Sequence, residues 1–137
     1  MAKAHIFAFD SIPPVDRGEG VTAKPLVSKA VGSTKLTNGI TTFPPGGALR
    51  PHSHNCDESV TLIVGEGVVE IDGQQTTVKP FDTTFVPAGV VHRFLNKSTQ
   101  PMSILWNYTS VDVTRTFTDT GETVRQLSPT DKGGTRA

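Results

Sequence analysis

Three of the chain's four histidines fall in two short motifs, Gly46-x5-His52-x-His54-x3-Glu58-x6-Gly65 and Pro87-x-Gly89-x2-His92-x3-Asn96. A fold that uses both must bring two extended segments to one cavity. Side chains at i and i+2 of a β-strand share a face, so His52 and His54 aim their imidazoles at one side, about 6 to 7 Å apart along the chain. Glu58 has the same parity, but a straight strand would carry it roughly 13 Å past His54, too far for donors that must converge to about 2 Å from one ion. The chain must bend between them, and the stretch Asn55-Cys56-Asp57 supplies turn chemistry where the bend is needed. His92 arrives from a second strand entered through Pro87-Ala88-Gly89, where proline fixes φ and glycine permits a turn that other residues resist. His52, His54, Glu58 and His92 are therefore candidate ligands of one metal ion.

The rest of the chain reads as short strands between turn signals, without a long amphipathic helix. Ile6 to Phe9 is an apolar run that reads as an edge or exchanged strand, followed by a loop through Ile12-Pro13-Pro14 and Gly18-Glu19-Gly20. Strands are expected around Leu26 to Leu36 and Ile40 to Phe43, the latter ending at the abrupt turn Pro44-Pro45-Gly46-Gly47. Val60 to Val64 and Val68 to Ile71 follow, then Asp72-Gly73 with the composition of a tight hairpin before Gln75 to Val78. Thr83 to Val86, Val91 to Leu95 and Ile104 to Thr109 complete the series. Many short strands with frequent turns predict an all-β antiparallel sandwich or barrel. At 137 residues there is length for one domain of ordinary size. Residues 1–25 are expected to form an N-terminal strand and loop packing on the barrel or a partner, 26–127 the barrel, and the polar, glycine-bearing 128–137 a mobile tail.

The two motifs resemble the paired signatures of the cupin superfamily, small β-barrels that typically hold one divalent metal with three His and one Glu. The first is complete from Gly46 through His52, His54 and Glu58 to Gly65. The second has Pro87, Gly89, His92 and Asn96, but Phe81, followed by Asp82, stands where the family usually has a glycine six residues before the proline. That departure touches a turn, not a ligand. The resemblance covers roughly residues 40 to 96 by motif and implies a single-domain double-stranded β-helix, or jelly roll. A His-x-His pair alone is often two half-buried strand residues; Glu58 and His92 at the family's spacing turn it into a metal site.

Three neutral imidazoles and one carboxylate would give a divalent ion a site charge of about +1, and a six-coordinate ion would keep two positions for water, oxygen or substrate. The ligand set suits iron, manganese, nickel, copper, cobalt or zinc. Asn96, Ser53 and Thr61 could orient the imidazoles, or equally bond the backbone. Candidates for the substrate pocket are Phe43, Arg50, Phe85, Phe94, Trp106 and Tyr108. Each aromatic reads first as core, although Trp106 and Tyr108 share a strand face and would both wall the site if it is inward. Arg50, two residues before His52, could hold a carboxylate, provided that Pro51 leaves the register intact. Cys56 reads as a packed residue in preference to a reactive thiol, and His5 as a surface or strand residue.

Thirteen basic and thirteen acidic residues without a basic run give no sign of nucleic-acid binding. No 18-residue apolar stretch and no signal peptide are evident, and the single cysteine fits a reducing compartment, so a cytoplasmic protein away from the membrane is expected. Family resemblance implies chemistry that ranges from dioxygenases through decarboxylases, isomerases and lyases to non-catalytic binding proteins. A metal-dependent enzyme acting on a small organic molecule is the first expectation, with dioxygen activation leading. A metal-anchored ligand-binding module is the alternative. A homodimer is expected from the exposed sheet that two copies could cover.

Overall fold

A computed structural model describes residues 3–137 and contains fourteen strands in two antiparallel sheets. The six-stranded sheet runs β1 (Val15–Gly18), β2 (Val21–Pro25), β3 (Thr37–Phe43), β11 (Met102–Tyr108), β6 (Glu58–Val64) and β9 (Thr83–Val86). The second runs β13 (Thr123–Arg125), β12 (Thr114–Phe117), β5 (His52–His54), β10 (His92–Leu95), β4 (Gly47–Leu49) and β14 (Gly134–Arg136), with β7 (Gly67–Ile71) and β8 (Gln74–Val78) joined through β10. Nearly half the chain is strand, and the architecture is the jelly roll implied by the resemblance.

Alternation of burial shows why these sequences become strands. In β3, β6 and β11 every second side chain is buried, so one face of each strand is turned to the interior and the other away from it. Val60 and Leu62 of β6 pack with Ile104 and Trp106 of β11 and Phe43 of β3 in one core. Burying a side chain such as Leu62 stabilises the fold by about 1.5–3 kcal/mol, and Leu62→Ala would cost about 2–5 kcal/mol. Gly39, opposite Trp106 in the β3–β11 ladder, is required by packing: a Cβ there would lie 2.5 Å from the indole ring. Asp72 and Gly73, both at positive φ, close the β7–β8 hairpin as expected.

Three expectations are corrected. Ile6 to Phe9 joins no ladder; Ile6 is fully exposed and a single 3-10 turn covers Phe9–Ser11. Within this chain the edge of the six-stranded sheet belongs to the β1–β2 hairpin, whose turn is Glu19-Gly20 within the expected loop. Most of Leu26 to Leu36 is irregular, because local capping prevails. The Ser28 hydroxyl accepts from Ala30 N, and Gly32 at φ +94° ends a short turn, so the strand starts only at Thr37. Finally, 128–137 is not a free tail. β14 pairs with β4, and Gly134 crosses β1 so closely that a Cβ would strike the Gly18 carbonyl, a passage only glycine permits.

Candidate metal centre

The three motif histidines converge. His52 and His54 project from β5 and His92 from β10, directly opposite His52 in the ladder. All three are buried, their ring centroids lie 4.5–5.2 Å apart, and one nitrogen from each falls within 4.8 Å of the others. The bend required by the sequence occurs at 55–57, after which Glu58 opens β6 in the opposite sheet. Its Oε1 stands 2.8 Å from His92 Nε2 and 3.7 Å from His54 Nε2.

Backbone carbonyls set the imidazole orientation. Each Nδ1 lies against a carbonyl oxygen: Arg50 O for His52 at 2.7 Å, Thr114 O for His54 at 3.0 Å and Val90 O for His92 at 2.9 Å. A carbonyl can only accept, so Nδ1 carries the proton and donates, leaving each Nε2 lone pair turned inward. Asn96, Ser53 and Thr61 do not perform this task. Asn96 donates to the carbonyls of Phe43, Pro44 and Gln100, Thr61 pairs with Thr83, and Ser53 makes no side-chain hydrogen bond to the imidazoles.

The donor set fits a divalent transition metal. His92 and Glu58 face one another through two lone-pair atoms at hydrogen-bond distance, an arrangement that requires a shared cation, either a proton or a metal ion. Burial, followed by the nearby Arg115, holds His52 neutral to well below the usual imidazole range. Burial likewise pushes His54 down to about 4, against the pull of Glu58. Burial alone would raise the Glu58 pKa, but His54, His92 and Arg115 together bring it below the ordinary value. Neutral imidazoles and an ionised carboxylate are the protonation states a metal needs.

Other pocket candidates divide. Phe94, Trp106 and Tyr108 line the cavity beside His52, Glu58 and His92. The Tyr108 hydroxyl lies 3.4 Å from His54 Nε2 and is kept protonated by burial and Glu58, while Trp106 Nε1 donates to Thr41. Phe43 is wholly buried in the core but does not line the cavity. Phe85 is two-thirds exposed, because its partner Ser59 lies one position out of phase with Glu58 and faces outward. It borders an external groove with Lys35 and Leu36. Arg50 also points away. Pro51 separates β4 from β5, and the guanidinium pairs with Asp119 at 2.6 Å while stacking on Phe117. Cys56 packs in the core, where burial raises its thiol pKa.

No local motif marks the cluster behind the site. Arg115 on β12 lies opposite His54 in the ladder and reaches the cavity, as do Arg17 of β1 and Gln126. Asp131 binds both guanidiniums, through contacts of 2.6 and 2.7 Å to Arg115 and 3.2 Å to Arg17. All three are at least 97% buried. Burial and Arg115 lower the Arg17 pKa to about 10, which still leaves it charged at neutral pH. The enclosed space amounts to only about 10 Å³, room for one water or ion.

Comparison with known proteins agrees with this geometry. The family model for the cupin domain matches residues 39–108. A tetracenomycin polyketide synthase protein, TcmJ, of Streptomyces glaucescens is 29% identical over 107 residues, covering 77% of this chain and 72% of the relative. A cupin-superfamily sugar phosphate isomerase from Silicibacter pomeroyi superposes with a TM-score of 0.74 at 24% identity, over 97% of this chain and 92% of that one. The polyketide cyclase RemF from Streptomyces resistomycificus gives 0.73 at 15% identity, over 95% and 90%. No helix among the described residues is long and apolar enough to cross a membrane. With its family model matched over half its length and three inward imidazoles where the motifs require them, the chain belongs to the cupin domain family.

Proposed function

We propose that the protein is a metal-dependent cupin enzyme that binds an oxygen-rich small organic molecule, of polyketide type, and promotes its cyclisation or isomerisation. The observation that carries this reading is the convergence of the three buried histidines, each held by a backbone carbonyl with Nε2 inward. Similarity to a polyketide synthase protein supports the substrate class. His52, His54, Glu58 and His92 would hold the ion. A bound divalent ion supplies Lewis-acid polarisation of a substrate carbonyl or enol oxygen. Tyr108, held as a neutral phenol, offers a hydrogen-bond donor beside His54. Phe94, Trp106 and Ile104 wall the enclosed space, whose volume of about 10 Å³ would admit a single substrate oxygen while the body of the substrate stayed outside it.

Dioxygen activation is the second reading, favoured by a three-histidine, one-carboxylate set that suits iron. Elemental analysis of the purified protein beside Glu58→Ala, followed by incubation with an aromatic β-polyketone under an oxygen electrode, separates the readings. Metal lost in the variant together with turnover lacking oxygen uptake supports the cyclase or isomerase. Stoichiometric oxygen uptake would transfer the assignment to a dioxygenase, and ligand binding without turnover to a binding module. Failure to hold any metal, even on titration, would overturn the proposal. Exposed Phe85 on edge strand β9 and Phe81 just before it support assembly as a homodimer, which light scattering tests, and free Cys56 accords with a reducing, cytoplasmic setting.

A further inference from the structure

Two donors in the cavity lack a partner. Among the described residues, Arg115 Nε and Gln126 Nε2 are the buried side-chain polar atoms without a hydrogen bond, and both residues line the space that His52, Glu58 and His92 line. Leaving such groups unsatisfied costs about 1–3 kcal/mol each, and more for a charged one, so their survival calls for an explanation. Arg115 is not free to swing away: its Nη1 is fixed on both Asp131 oxygens, and the side chain is 97% or more buried. Gln126 is likewise anchored by its own backbone, which donates to the Val113 carbonyl.

We propose that Arg115 Nε and Gln126 Nε2 form a subsite for an ionised substrate oxygen, enolate or carboxylate, facing the histidine centre. Both groups can only donate, so their ligand must be an acceptor, and the space admits about one such atom. Charge favours the same conclusion. The two buried guanidiniums of Arg17 and Arg115 share the single carboxylate of Asp131, so the excess positive charge beside the cavity favours an anionic acceptor. The subsite deepens the function proposed above and rests on that reading for its substrate class.

Formate is the minimal probe for a carboxylate and acetylacetone for an enolate, with formamide as the neutral control. Each is titrated by calorimetry into wild type, Gln126→Leu and Arg115→Lys, in metal-loaded and metal-free forms, with metal content measured in each. Gln126→Leu is expected to weaken the preferred anion by about tenfold or more while leaving the melting temperature unchanged or higher, since it removes a buried unpaired donor. Arg115→Lys retains a cation for Asp131 and is expected to weaken the same anion. Formate preferred over acetylacetone identifies a carboxylate, and the reverse an enolate. Unchanged anion affinity in Gln126→Leu, equal binding of formamide, or no anion binding by wild type in either form would overturn the subsite. If wild type takes up no metal, the function proposed above falls, and the metal-free titrations alone judge the subsite.

Discussion

The histidine centre draws its candidate ligands from two short stretches, 52–58 and His92, whereas the cluster beside it joins Arg17 to Asp131 across 114 residues and Arg115 to Asp131 across 16. Both occupy the same interior. At the first, local strand parity and one bend suffice to aim the side chains, and neutral imidazoles enter the core at little electrostatic cost beside a single buried carboxylate, Glu58. At the second, three full charges are buried, which is tolerable only because the chain's two ends meet: β1 supplies Arg17 and the segment before β14 supplies Asp131. The centre is organised for a ligand, and the cluster anchors the termini that close the barrel over it.

The most severe break of this comparison is Asp131→Ala. It leaves two buried guanidiniums without their carboxylate and is expected to cost about 3–5 kcal/mol in urea unfolding. A loss below about 1 kcal/mol would show that the termini do not depend on it.

Acid should dissect the two regions in order. Because His52 and His54 are held neutral when folded, the unfolded chain takes up their protons near pH 6.5 and the folded one does not. Their contribution to metal-free stability is therefore full above pH 6.5 and lost as pH falls toward 4, with His54 alone worth roughly 3 kcal/mol. Asp131 has a lowered pKa, so its contribution is present above its usual 3.8 and disappears only as pH drops through its folded value. Urea midpoints measured from pH 7 to 3 should decline in those two stages; a flat profile down to pH 4 would mean the histidines are not buried neutral.

Glu58→Gln keeps the shape of the proposed fourth ligand and removes its charge. Stoichiometric metal should fall while the melting temperature of the metal-free protein shifts by only a few degrees, the opposite of the Asp131 pattern. The smallest effect concerns a turn outside both clusters. Phe81 sits at φ +75°, a left-handed conformation costly for a bulky residue, and is largely exposed. Phe81→Gly should relieve that strain and raise stability by up to about 1 kcal/mol, less what the more flexible unfolded chain takes back, with metal content unchanged.

Much of the site was legible because its information is local. His52 and His54 at i, i+2, the turn at 55–57 and the resemblance in the motifs led directly to the converging imidazoles. Phe81 is a departure from the motif whose backbone still adopts the glycine-like conformation, held by Phe81 N donating to the Leu62 carbonyl and Asp82 N to the Lys79 carbonyl. Arg50 could not be placed by parity alone because the register fails at Pro51, and Phe85 because a strand's two faces cannot be ranked until its partner is known. The N-terminal apolar run and the polar C-terminal segment were read by composition, yet within this chain the first joins no ladder and the second is recruited as β14.

By itself, then, the sequence determined the all-β class, the bend and the candidate donor set, since strand periodicity and turn chemistry act over a few residues. Only the tertiary structure decided that β12 and the C-terminal segment would bring Arg115, Gln126 and Asp131 to the histidines. Contacts between chain ends depend on sheet order and register, and no local pattern encodes where a distant strand will land.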